Sequence, residues 1–252
     1  MGSALAFAFA RAGYELSVYD TSLALAESVA AGIGAHISAN VAELGARSEL
    51  AVICVKPGDV EPVARTLGGS GALVVSVAAG VAIEALQDWT GHTRLVRAMP
   101  NTPARVGAGI TALAQGPGVS AEELSSVERL FSSAGQVVVV AEPLMHVVTA
   151  VSGSGPAFAV AYAEAVIAAA VDQGMPEEIA KKLTLSTIEG TIAWVKASPE
   201  LALGQLRDQV TSKGGTTAAG LAAMAEGGFA RALRRAIDAA TARSRELSQA
   251  FH

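Results

Sequence analysis

The stretch LAVICVKPG at residues 50–58 decides the fold. Six apolar residues run without interruption and stop at Lys56-Pro57-Gly58. The stretch ALVVSV at residues 72–77 repeats the pattern and stops at Ala78-Ala79-Gly80. Continuous rather than alternating apolar runs are typical of parallel strands that are buried on both faces. The two runs therefore predict two strands of a parallel sheet, each followed by a loop of small or turn-forming residues.

Further strand and helix patterns alternate on either side of these two runs. Strands alternating with helices predict an α/β fold with a doubly wound parallel sheet. The other strand candidates are Tyr14–Asp20, Arg94–Met99 and Val137–Val140, and helical patterns cover residues 3–12, 22–31 and 60–67.

The strand pattern stops after Val140, and the second half of the chain reads as helices only. We expect one domain over residues 1–146 and an all-helical domain over residues 147–252. Its helix 156–173 is apolar on nearly every side, which a small domain cannot easily bury with its own chain. We therefore expect a homodimer through this helix. A central helix wrapped by neighbours of its own chain is the alternative.

Composition excludes several classes of protein. With 51% apolar and 16% charged residues the chain is too apolar to be disordered, and its net charge of -5 argues against nucleic acid or an anionic membrane as partner. The apolar stretch 157–171 contains Glu164 and is too short to span a bilayer. The single cysteine, Cys54, fits a reducing compartment, so we expect a cytoplasmic protein. No metal site is expected, because the four histidines are far apart: His36, His92, His146 and His252.

The loops that follow the strands indicate a nucleotide cleft. Ligands of a parallel sheet bind beyond the carboxyl ends of its strands, where this chain has KPG, AAG and, at residues 100–103, PNTP. Lys56 would place a positive charge near a phosphate, and Asp20, 18 residues after Gly2, would hydrogen-bond ribose hydroxyls. The alternative is that Pro and Gly only end the strands. No G-x-G-x-x-G sequence precedes the first helix.

The loop TSKGGTT at residues 211–217 is the most informative stretch of the second half. It contains two glycines and four hydroxyl groups and joins two predicted helices. If it forms a helix N-terminus, its free N–H groups make a site for a carboxylate or a phosphate. The alternative is a polar connection in which Thr216 or Thr217 caps the next helix.

Taken together, these segments resemble the pyrroline-5-carboxylate reductases over nearly the whole chain. The TSxGGTT loop followed by EGGF is highly specific to that family. The matching blocks are CVKP (54–57), SVAAGV (76–81), RAMPNTPARVGAG (97–109), AVSGSGPAF (150–158), DQVTSKGGTTAAGL (208–221), EGGFARAL (226–233) and ATARSREL (240–247).

The resemblance implies reduction of 1-pyrroline-5-carboxylate to L-proline with NADPH or NADH. It implies a Rossmann-like dinucleotide-binding domain, then a helical substrate-binding and dimerisation domain, with dimers assembling into a decamer. Thr217 would hydrogen-bond the ring nitrogen as the catalytic residue. The implied substrate-binding residues are Glu200, Ser212, Gly214, Gly215, Thr216 and Thr217, and the cofactor-binding residues are Asp20, Asn40, Lys56, Pro57, Ala78 and Ala79.

Two departures from the family pattern carry expectations of their own. Family members usually begin about ten residues earlier, with a strand and a glycine loop that holds the pyrophosphate. We therefore expect the chain as written to bind cofactor poorly and to be less stable than a longer version. The segment Asp20-Thr21-Ser22 leaves the choice between NADP and NAD open, because the carboxylate repels a 2′-phosphate that the hydroxyls can bind.

Two alternative functions remain at this point. One is an inactive, oligomerising relative without the glycine loop. The other is a β-hydroxyacid dehydrogenase, whose catalytic lysine lies on a helix of the second domain. The candidate helix 156–173 contains no lysine, which argues against the second alternative.

Overall fold

The structure, a computed structural model, describes residues 1–251. His252, one of the four histidines considered for a metal site, lies outside the described residues. The chain forms two compact units: residues 1–156 together with the chain from Ile237 onward, and Ala157–Ala236. The end of the chain therefore packs with the first unit. The domain boundary between residues 146 and 147 stays a prediction.

The strands of the first unit form two sheets. Strands β1 and β2 pair in parallel, and a five-stranded sheet has the order β3-β4-β5-β6-β7. All neighbours in the larger sheet are parallel except β5 and β6, which are antiparallel. The strands are β1 (Ser17–Val18), β2 (His36–Ile37), β3 (Leu50–Ile53), β4 (Leu73–Ser76), β5 (Leu95–Met99), β6 (Gly109–Gln115) and β7 (Gly135–Val139).

Helices cover both faces of the larger sheet, as the continuous apolar strands predict. On β4, Val74 belongs to a buried cluster with residues of α4, α5 and α7, whereas Val75 belongs to a second cluster, with residues of α1 and α6. Both valines are fully buried. The helices of this unit are α1 (Gly2–Arg11), α2 (Leu23–Ile33), α3 (Val41–Ala46), α4 (Val60–Leu67), α5 (Ile83–Thr90), α6 (Ala121–Ser132) and α7 (Met145–Val148). The doubly wound α/β fold is confirmed.

Two strands lie where the sequence predicts none. Strand β2 has only two residues, too few for a recognisable pattern. Strand β6 reads GITALAQ, and its glycine and alanines have low strand propensity. It is nevertheless almost entirely buried between β5 and β7, so tertiary contacts outweigh local preference. Because β6 runs antiparallel to β5, the sheet is mixed rather than wholly parallel.

The second unit consists of helices. They are α8 (Gly155–Asp172), α9 (Glu177–Ala197), α10 (Leu203–Gln209), α11 (Thr216–Glu226) and α12 (Phe229–Gln249), with the first residues of α8 and the end of α12 belonging to the first unit. Of the 18 residues of α8 only Ala163 is buried, while Val160 is 57% exposed and Tyr162 46%. A groove of about 250 Å³ between α8 and α9 has the same apolar character. One chain alone leaves this apolar surface uncovered.

One helical run, Glu142–Asp172, is long and apolar enough to cross a membrane by length and composition. It has 31 residues and a mean hydropathy of 1.5, and it is longer than the apolar stretch 157–171. A helix that is buried between subunits has the same length and composition. The expectation that the chain does not bind a membrane stays a prediction.

The turn between α5 and β5 contains a half-buried histidine, His92, whose two ring nitrogens are buried. Among the described residues, neither ring nitrogen of His92 has a hydrogen-bond partner. Burial, assisted by the positive charge of Arg94, lowers the pKa of the His92 imidazole. Because an unfolded histidine takes up a proton near pH 6.5, the unfolded state binds more protons below that pH than the folded state.

We expect the free energy of unfolding to fall as the pH drops below about 6.5, and to stop falling once the histidine of the folded state is protonated as well. His92→Phe should reduce this loss and should have little effect at pH 8, where both states are neutral. Denaturant unfolding at a series of pH values measures the difference. Identical pH dependence in the two proteins would contradict the assignment to His92.

Candidate functional site

Three loops meet at the carboxyl edge of the larger sheet. Strands β3, β4 and β5 are parallel, so the loops after them lie at one edge. Lys56 is exposed there, and Pro57 is half-buried beside it. Ala78 is 4% exposed and Ala79 is half-buried, so the second loop carries no side chain longer than a methyl group. The structure thus brings these four predicted cofactor residues to one edge of the sheet. There Lys56 supplies a positive charge, and the small side chains leave the backbone of the loops accessible.

The N-terminus of α1 lies at the same edge. A Cβ atom at Gly2 would lie 3.1 Å from the Cβ of Cys54, directly after β3. Gly2 therefore allows close packing of helix on strand, a role of glycine in dinucleotide-binding folds. No side chain caps α1, so its first N–H groups and the positive end of its dipole are free to face an anion. This edge fits a dinucleotide phosphate.

Asp20 and Asn40 follow the paired strands β1 and β2. Both are exposed. The Oδ1 atom of Asp20 accepts a hydrogen bond from the N–H of Ser22 (2.9 Å), and Oδ1 of Asn40 accepts one from the N–H of Glu43 (2.9 Å), which caps α3. Each side chain keeps one polar group free, the second carboxylate oxygen of Asp20 and the amide nitrogen of Asn40. Both residues therefore stand at strand ends with polar atoms for a ribose or an adenine.

The loop before α11 is built as an open helix N-terminus. The N–H of Gly215 donates to the carbonyl oxygen of Ser212 (3.0 Å), and Gly214 has a φ of 71°, which favours glycine. Helix α11 begins at Thr216 after Gly215, and no side chain caps it. The alternative with Thr216 or Thr217 as capping residue is therefore wrong. The hydroxyls of Thr216 and Thr217 and the first N–H groups of α11 are therefore available to bind an anion.

Glu200 stands apart from this loop in the chain. It lies exposed in the turn between α9 and α10. Within residues 1–251 no hydrogen bond joins it to Ser212, Gly214, Gly215, Thr216 or Thr217, which the structure does bring together in one turn. Its place in the pocket stays a prediction.

The sequence analysis missed the side chains that hold the strand-end loops. The Oε1 atom of Glu142 accepts a hydrogen bond from the N–H of Ile83 (2.7 Å), at the start of α5, and lies 3.5 Å from Arg97 Nη1. Burial lowers the pKa of Arg97, although Glu142 favours its charged form. Asn101 Oδ1 accepts a hydrogen bond from the N–H of Ile110 (3.0 Å) and thereby fixes the loop after β5. An arginine inside the apolar run RLVRAM was the available signal, since charged residues are seldom buried without a partner.

No group of three or more His, Cys, Asp or Glu side chains in residues 1–251 is arranged to hold a metal ion. The expectation that the site has no metal stays a prediction.

Comparisons with known proteins show the family. A family model described as pyrroline-5-carboxylate reductase dimerisation matches residues 142–247, and one described as NADP oxidoreductase, coenzyme F420-dependent, matches residues 1–80. A pyrroline-5-carboxylate reductase from Synechocystis is 43% identical over 204 residues, which are 80% of this chain and 76% of the relative. The chain belongs to the pyrroline-5-carboxylate reductase family. The resemblance in the seven sequence blocks is thereby confirmed.

Solved structures of pyrroline-5-carboxylate reductases have the same fold. The reductase from Coxiella burnetii matches with a TM-score of 0.91 and 30% identity, covering 98% of this chain and 94% of its own. The reductase from Plasmodium falciparum, solved with NADP bound, matches with a TM-score of 0.87 and 29% identity over the same shares. The Rossmann-like domain followed by a helical domain is confirmed.

The family model described by dimerisation covers the exposed apolar helix α8. The match begins at residue 142 and includes all of α8 and the groove between α8 and α9. The matched family model is described by dimerisation, and α8 is buried by its own chain only at Ala163, so its apolar surface is open to a second subunit. Oligomerisation through the helical domain is therefore supported.

In this reductase, Cys54 should react slowly with thiol reagents. It lies between β3 and the start of α1, and burial raises the pKa of its thiol to about 11. Only the thiolate is a good nucleophile. We expect slow modification by a disulfide reagent at pH 8 in the native protein and fast modification after unfolding. Equally fast modification of both states would show that the thiol is open to solvent.

Proposed function

We propose that this chain reduces 1-pyrroline-5-carboxylate to L-proline by hydride transfer from NADPH or NADH, the last step of proline biosynthesis. The observation that carries the proposal is the 43% identity to the Synechocystis reductase over four-fifths of the chain. The open helix N-terminus at residues 212–217 supports it independently, because a substrate carboxylate needs such an anion site.

The cofactor is assigned to the first unit. Lys56 and the N-terminus of α1 attract its phosphates, and the small residues Ala78 and Ala79, with Pro57, leave the backbone accessible. Asp20 and Asn40 hydrogen-bond the adenosine side. The bound nicotinamide supplies the hydride. The choice between NADP and NAD rests on Asp20, whose carboxylate disfavours a 2′-phosphate.

The substrate carboxylate is assigned to the loop before α11. The N–H groups of Thr216 and Thr217 and the hydroxyl of Ser212 bind it, and Gly214 and Gly215 give the turn its shape. The hydroxyl of Thr217 hydrogen-bonds the ring nitrogen, and Glu200 lines the pocket. A cyclic imine accepts hydride well when its nitrogen is protonated, and solution supplies that proton. The residues therefore act mainly by positioning the reacting carbon, a large effect when two reactants must meet.

The assembly is proposed as a homodimer through the helical domain, with dimers assembling into a decamer in the cytoplasm. The exposed apolar surface of α8 supports the dimer. The net charge of -5 and the single cysteine support a soluble protein of a reducing compartment.

The test is oxidation of NADPH and of NADH by the purified full chain, with and without 1-pyrroline-5-carboxylate. We expect oxidation that depends on the imine and formation of L-proline. A β-hydroxyacid offered with NAD or NADP is the control for the dehydrogenase alternative and should give no reduction. Binding of the cofactor without imine-dependent oxidation would favour the inactive relative.

A further inference from the structure

The C-terminal end of α12 and the turn after it contact the rest of the first unit at three places. A Cβ atom at Gly80, in the loop after β4, would lie 3.5 Å from the backbone of Leu247 and Ser248. The backbone of α12 therefore passes directly behind this loop. The rings of Trp89 on α5 and Phe251 meet edge to face, with centroids 6.5 Å apart.

The third contact is polar. His146 Nδ1 on α7 and Ser244 Oγ lie 3.0 Å apart. Ser244 is 5% exposed and Ser248 is 9% exposed. The Ser248 hydroxyl donates within its own helix, to the carbonyl oxygen of Arg245 (2.7 Å). Thr241, which is 7% exposed, lies on the same face of the helix as Ser244 and Ser248. The three small residues follow one another at spacings of three and four. These small side chains allow α12 to approach the first unit closely.

The loop behind which α12 passes is the loop after β4. It runs from Val77 to Gly80, and Gly80 turns it with a φ of 83°. Within the loop, the N–H of Ala78 donates to Ser76 Oγ at 3.4 Å, a long hydrogen bond. Ala78 is buried in a cluster with residues of β3, α4 and α5, and Ala79 carries only a methyl group. At Gly80, the far end of the loop, the backbone of α12 is the element that lies against it.

We propose that residues Thr241–Phe251, the C-terminal end of α12 and the turn after it, position the Val77–Gly80 loop for the cofactor and thereby set cofactor affinity. The inference rests on the proposed function, which assigns Ala78 and Ala79 to the cofactor. Ser248 and Phe251 are positioning residues: they act through Gly80 and Trp89 and contact no cofactor themselves.

The experiment compares Ser248→Leu with Ser248→Ala in the full chain. The leucine separates α12 from the loop after β4, whereas the alanine keeps the small size and removes only a hydroxyl that bonds within its own helix. We expect the Kd for NADPH, measured by its fluorescence without imine, to rise about tenfold in Ser248→Leu and to stay within about twofold in Ser248→Ala. With imine, KM for NADPH should rise while kcat at saturating NADPH stays within about twofold.

A second pair keeps the inference testable if Ser248→Leu does not fold. Phe251→Ala removes the ring on Trp89, and Gln249→Ala changes an exposed side chain of the same helix turn. We expect a rise of about threefold in the Kd for NADPH in the first and none in the second. In a Trp194→Phe background, Trp89 is the only tryptophan, and its emission should shift in Phe251→Ala alone.

The outcomes separate this inference from the proposed function. A wild-type chain that binds NADPH without oxidising it in the presence of the imine would overturn the function, while the Kd comparison would still decide the inference. An equal Kd for NADPH in the wild type, Ser248→Leu and Phe251→Ala would overturn the inference. A fall in kcat with an unchanged Kd would do the same, since it indicates a general loss of folded protein.

Discussion

Replacing Gly135 with alanine is expected to lower the free energy of unfolding by at least about 3 kcal/mol. Gly135 begins β7 with a φ of 143° and pairs with Gly109 on β6. A Cβ atom here would overlap the carbonyl oxygen of Gly109 and lie 2.6 Å from its nitrogen. Gly109 is itself closely packed, because a Cβ atom added to it would lie 2.8 Å from Cα of Ala104. Three backbone segments are thus stacked without space for a side chain.

Gly69→Ala is the matched control for this prediction. A Cβ atom at Gly69 would have no neighbour within 4 Å, and its backbone does not have a positive φ. We expect a change within about 1 kcal/mol, in the stabilising direction, because alanine restricts the unfolded chain. Denaturant unfolding of the wild type and both variants measures the two effects. Equal stabilities for Gly135→Ala and Gly69→Ala would show that the strands separate without cost.

The contrast between β4 and β6 explains how much of the fold the sequence predicts. Strand β4 was predicted because three of its residues, Leu73, Val74 and Val75, are apolar and branched, a local property that matches its burial on both faces. Strand β6 and the Gly109–Gly135 pair were missed, because they depend on the approach of one backbone to another. Such an approach is a tertiary property, and no pattern within GITALAQ predicts it.

In the candidate site, too, some features have a local signal in the sequence and others depend on contacts between distant residues. The loop at residues 211–217 was predicted because glycines and hydroxyls before a helix are a local signal for free N–H groups. The link from Arg97 through Glu142 to Ile83 joins residues that are 45 and 59 positions apart. The support of Gly80 by α12 spans an even longer stretch of chain. The residues proposed to bind therefore have local signals in the sequence, whereas the contacts that fix their loops join residues far apart in the chain.

Replacing Thr217 with alanine is expected to lower kcat/KM for the imine by about 10²–10³, with little change in thermal stability. Thr217 is exposed in the first turn of α11, and within residues 1–251 its hydroxyl makes no hydrogen bond. Removing it therefore costs the folded protein almost nothing. In the proposed site the same hydroxyl bonds the ring nitrogen, where charge changes as hydride is transferred.

Thr217→Ser, which keeps the hydroxyl, should recover most of the activity, and Thr217→Val, which keeps the shape, should not. Thr66→Ala is the control outside the site, because that hydroxyl donates to the carbonyl oxygen of Pro62 (2.9 Å) on an exposed helix turn. It should leave kcat/KM unchanged. Steady-state kinetics and thermal unfolding of the four variants provide the measurements. If Thr217→Ala kept the wild-type kcat/KM, Thr217 would not touch the imine, and the N–H groups at the start of α11 would bind the substrate by its carboxylate alone.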